Sequence, residues 1–82
     1  MRGYVHTINR RRGLVAIFTD RGFTIIELLG DDPIHLGDRL EWDDDSALGN
    51  ATYRNVTKGT ATHVNVHAHG VHGSRVRQRL KL

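Results

Sequence analysis

The chain has 82 residues, enough for one domain in which only about 60 to 65% of the unfolded surface can be buried, so its core must be thin. It has no cysteine, which excludes disulfides, a thiolate zinc site and a thiol nucleophile and fits a reducing compartment. The net charge of +3 is unevenly spread: residues 71–82 carry Arg75, Arg77, Arg79 and Lys81 without an acid, while residues 1–70 hold 8 basic against 9 acidic side chains. Acids gather between Asp31 and Asp45, and a second basic run stands at Arg10-Arg11-Arg12. Such asymmetry points toward a polyanionic partner. No stretch approaches the ~20 apolar residues of a membrane span and no apolar leader opens the chain, so a soluble, cytoplasmic protein without a membrane partner is expected.

In chain order, Tyr4-Val5-His6-Thr7-Ile8 alternates, Asn9-Arg10-Arg11-Arg12-Gly13 turns, and Leu14-Val15-Ala16-Ile17 returns, which reads as a β-hairpin with a basic turn. Gly13 suits a turn exit at positive φ, and Asn9 is expected to close the loop through its side chain. After the Asp20-Arg21-Gly22 turn, Phe23 to Leu29 is a β-branched third strand that Gly30-Asp31-Asp32-Pro33 ends. Gly37-Asp38 sets up a fourth strand, Arg39 to Asp43, with Leu40 and Trp42 inward. Trp42, the single tryptophan, lies between two acids and is read as core. Asp43 to Ser46 reads as a solvated hairpin loop, because three adjacent acids lack the spacing to converge on one hard cation.

Ala51 to Val56 gives a fifth strand. Thr60 to Ala68 gives another, with Val64, Val66 and Ala68 on one face and His63, Asn65, His67 and His69 on the other. Beyond Gly70 and Gly73, Ser74 to Leu82 alternates with Arg75, Arg77, Arg79 and Lys81 on one side. A strand is preferred there over a helix that would set Val76 against Leu80. Short strands at even spacing with glycine-marked turns argue an all-β fold, a small closed or nearly closed barrel.

Gly3-Tyr4-Val5, Asn9, Arg12-Gly13 and Ile17 resemble the opening of a cold-shock domain. Gly37 to Trp42 and Gly49 to Lys58 resemble its fourth strand and closing strand. The resemblance covers residues 2–58 and implies a five-stranded OB-type barrel that binds single-stranded RNA or DNA. Residues 59–82 are then a C-terminal extension of the same domain, a further strand plus a basic arm. The family stacks bases on aromatic side chains. Here the corresponding positions are Thr7 on the first strand, Leu14 and Ala16 on the second, and Thr24, Ile26 and Glu27 on the third. Each missing ring forfeits about 1 to 3 kcal/mol per stacked base. What is left is charge, so weak and mainly electrostatic binding of single-stranded nucleic acid is expected, through His6, Arg10, Arg11, Arg12, Leu14, Arg75, Arg77, Arg79 and Lys81.

The alternative is a protein-interaction or self-associating module. Leu14 and Ile26 would then form an exposed apolar patch, and the C-terminal strand would pair with another copy as a homodimer. Histidine metal ligation is a third reading. Only His67 and His69, about 6.6 Å apart along a strand, with His72 beyond the Gly70 bend, have workable spacing. The bland account, a polar solvent-facing strand, is preferred, and no metal or other cofactor is expected. No nucleophile elbow, phosphate-binding loop or metalloprotease pair is present, so an enzyme is not expected.

Overall fold

The computed structural model describes residues 1–43 and 47–82, so Asp44, Asp45 and Ser46 of the expected acidic loop lie outside the described residues. Six strands, β1 (Arg2–Asn9), β2 (Leu14–Thr19), β3 (Gly22–Leu28), β4 (Arg39–Glu41), β5 (Gly49–Asn55) and β6 (Thr60–Val71), are followed by a 3-10 turn (Gly73–Arg75) and a single helical turn, α1 (Val76–Arg79). The strands close into an antiparallel barrel in the order β1-β2-β3-β6-β5-β4. The strand expected as an addition to a five-stranded barrel is thus part of the wall: β6 sits between β3 and β5, and a boundary at residue 58 would cut the barrel open.

Alternation fills the inside. Val5, Val15, Ile17, Ile26, Leu40, Trp42, Tyr53, Val64 and Val66 form one buried cluster, with Ile34 from the β3–β4 connection closing it. Trp42 is core, as its flanking acids suggested, and stacks on Tyr53 with ring centroids 4.4 Å apart and planes 7° apart. Burial pushes the Tyr53 hydroxyl well above its ordinary pKa.

Two glycines are required by the first hairpin. A Cβ on Gly3 would lie 2.5 Å from the Phe18 carbonyl oxygen, so only glycine lets β1 come this close to β2. Gly13 leaves the basic turn at φ 67°, as the sequence required. Asn9 differs from expectation: a backbone bond from Arg12 N to Asn9 O closes the turn, and the Asn9 side chain is engaged elsewhere. Along β6 the register against β3 shifts twice between Phe23 and Ile26. The shift turns Ala68 out of the Val64–Val66 face and onto a second apolar cluster on the outside of the barrel.

A buried carboxylate pins the β4 end. Asp38 accepts from Asn55 Nδ2 at 2.9 Å, the His35 backbone N–H at 3.0 Å and Lys58 Nζ at 3.3 Å. Burial alone would raise its pKa, but the bonds from Asn55, His35 and Lys58, with the Lys58 charge, outweigh it and hold the group below the usual 3.8.

Candidate nucleic-acid interface

β2 is apolar on both faces. Val15 and Ile17 enter the barrel, whereas Leu14 and Ala16 join Phe23 and Ile25 of β3 in the outer cluster. That outer cluster is covered by the chain's own end. Gly70 at φ 65° and then Gly73 break the extended run, and the His72 ring accepts from Ser74 N to start the 3-10 turn. Val76 and Leu80, four residues apart and therefore on one helical face, pack onto it at 4% and 0% exposure. Asn9 Nδ2 donates to the Leu80 carbonyl at 2.7 Å in a buried bond spanning the chain's two ends. The turn closes with Leu82 N to Arg77 O and Lys81 N to Gln78 O, a Schellman arrangement that puts Lys81 at φ 62°.

Four sequence expectations are corrected by the barrel and its cap. The tail is helical rather than an alternating strand. A strand would also set Val76 and Leu80 on one face, but about 13 Å apart with Gln78 between them, whereas one helical turn brings them within about 6 Å and lets both cover the same apolar patch. Leu14, expected to touch nucleic acid, is 6% exposed beneath the cap and presents no surface to a ligand. Leu14 and Ile26 form no exposed patch, since Ile26 is fully buried inside the barrel while Leu14 is outside it. Nor does the tail offer a strand edge to a second copy, and β6 has both edges paired.

The same folding gathers the basic residues. Arg11, Arg12 and Lys81, widely separated in sequence, line one shallow concavity with Asn9 and Leu82. Arg75, Gln78, Arg79 and Lys81 line an adjoining one with His67. Lys81 belongs to both, so the two basic clusters of the sequence form one surface. Arg11, Arg12, Arg75, Arg77, Arg79 and Lys81 are exposed, and none pairs with a carboxylate among the described residues. Arg10 is partly used, its guanidinium donating to the Ile34 carbonyl at 2.9 Å. Arg77 lies outside both concavities.

His6 is exposed and sits edge-on to Phe23, with ring centroids 5.1 Å apart. The histidines of the β6 region do not converge. His63 meets Thr52 Oγ1, His67 meets Glu27, His69 bridges Thr24 Oγ1 and the Ala47 carbonyl, and His72 caps the 3-10 turn. No group of three or more potential metal ligands occurs among the described residues. Among them, too, no helix is long and apolar enough to cross a membrane.

Sequence reasoning passed over two aromatic residues on the same outer face. Tyr4 and Phe18 are cross-strand partners, each 52% exposed. Their parity was available, since each adjoins an inward residue, Val5 or Ile17. No protein-family model matches the chain, and neither a curated protein nor a solved structure does.

Proposed function

We propose that the protein binds single-stranded nucleic acid weakly and mainly through charge, with Arg11, Arg12, Arg75, Arg79 and Lys81 following the phosphates. The observation that carries this reading is the meeting of the basic turn with the basic tail around Lys81, with guanidinium and ammonium groups left free of carboxylates among the described residues. Forked arginine donors suit phosphate oxygens, and releasing counterions from a polyanion supplies the free energy. Arg77 is a peripheral contributor and Leu14 none. The resemblance of residues 2–58 to a cold-shock domain, the five-stranded OB type, supports the same reading.

Lys81 strengthens the case. The left-handed position that ends a Schellman turn favours glycine, and a side chain there costs about 1 kcal/mol. A lysine in that place is explained by a task for its ammonium group.

The test is fluorescence anisotropy with labelled single strands across a salt series. Affinity should fall steeply with salt, and Arg12→Ala should lower the log–log slope by about 0.7, the share of a single phosphate left without its cation. Lys81→Gly separates binding from folding: it should weaken binding while leaving the melting temperature unchanged or raised. Binding indifferent to salt, or untouched by both substitutions, would sink the proposal.

A further inference from the structure

The chain has five Phe, Trp and Tyr residues, and Tyr4 and Phe18 are the two left half in water while Phe23, Trp42 and Tyr53 are buried. They are paired across β1 and β2, which places their side chains about 5 Å apart at the Cβ atoms on one face. Phe18 leans on Phe23 with centroids 5.3 Å apart, and Phe23 in turn meets the edge of His6. The rings therefore form a supported strip rather than isolated side chains.

We infer that this strip, Tyr4 and Phe18 backed by Phe23 and His6, is where the bases of a bound single strand stack, an inference that rests on the nucleic-acid reading above. Two features select this occupant. The first is continuity with the basic surface. Phe23 belongs both to the ring strip and to the cluster beneath the cap, and Gly73, two residues before Arg75, lies against its ring edge. From Leu14, beside the basic turn, to Phe18 is about 13 Å along β2 at the usual rise per residue, so one extended segment of nucleic acid reaches both regions.

The second feature is charge. The groove beside Tyr4 and Phe18 is lined by three carboxylates, Asp20, Glu41 and Asp43, against Arg2, Arg54 and the Met1 ammonium, and Arg54 is already engaged with Asp43 at 3.3 Å and Glu41 at 3.9 Å. The charges nearly cancel, unlike those of the carboxylate-free basic surface. Phosphate therefore gains little at this end, but a base gains from an exposed π face whatever its identity. Phosphates on the basic cap with bases turned toward Tyr4 and Phe18 satisfy both ends, and the site takes any base without reading sequence.

The experiment compares an oligothymidine with an abasic strand of equal length, for the wild type, Tyr4→Ser, Phe18→Ser and Phe18→Leu. Phe18→Leu keeps an apolar contact with Phe23 and removes only the ring. The wild type should bind the base-bearing strand about fivefold or more tightly than the abasic one, and each substitution should erode that preference while leaving abasic binding unchanged. If both strands bind alike, or the substitutions change nothing, stacking is refuted while salt-dependent, Arg12-dependent binding upholds the electrostatic reading. If neither strand binds, both proposals fall. If the substitutions alter sedimentation and not binding, the strip is a protein contact and the inference is overturned.

Discussion

The outer face of β1–β3 has two ends with opposite fates. At the Leu14 end, Leu14, Ala16 and Ile25 are sealed under Val76 and Leu80, whereas at the Phe18 end, Tyr4 and Phe18 stand half in water. Both ends come from the same alternation along the same strands. What separates them is the reach of the cap: the last helical turn is pinned to Asn9, beside the basic turn, and its two apolar side chains cover one patch. A face that looks uniform in sequence is thereby divided into a closed, basic half and an open, aromatic half.

Removing the cap's main anchor should break the contrast most. Leu80→Ala deletes a fully buried side chain and should cost about 2 to 4 kcal/mol in denaturant unfolding. Residues 73–82 should then become the first segment cut by protease. An intact tail in that variant would mean that Asn9 alone holds the cap.

Next in size is Asp38, which pins the barrel wall as Leu80 pins the cap. Because its folded pKa lies below the unfolded one, the carboxylate stabilises the fold fully above the ordinary carboxylate range, and that contribution is lost as pH falls through the depressed value. Acid titration of unfolding should show a loss below about pH 4. Asp38→Asn should remove this pH dependence and cost about 1 to 3 kcal/mol at neutral pH, since Lys58 loses its partner.

The smallest effect belongs to the open half. Phe18→Ser should shift unfolding by about 1 to 2 kcal/mol, the value of a half-buried phenyl ring and one tilted ring contact, with the cap still protected from protease. A large loss would place Phe18 among the structural residues and erase the distinction between the two ends.

Much of the wall was legible. The first hairpin, the inward Leu40 and Trp42, and the Val64–Val66 face follow from alternation and from glycine at turns, because a strand's period of two depends only on neighbours in the chain. Ala68 did not follow, since bulges against β3 reset the parity of β6, and a bulge depends on the partner strand as much as on local sequence. The third-strand positions were misread for a related reason. Ile26 points into the barrel and Ile25 out of it, which the all-apolar run Ile25-Ile26 conceals.

The candidate surface was legible in composition and not in arrangement. Arg10–Arg12 and Arg75–Lys81 stood out as basic runs, yet nothing local said that they would adjoin around Lys81 or that the tail would be a helical turn. Val76 and Leu80 suit either conformation, and the choice fell to whichever placed both on the Leu14–Ala16 patch. By itself the sequence determined a β-rich wall, its turns and the amount of positive charge. Tertiary structure alone decided which apolar faces were covered, how the basic runs met and which aromatic rings stayed in water, because burial is settled between segments distant in the chain and periodicity is settled within them.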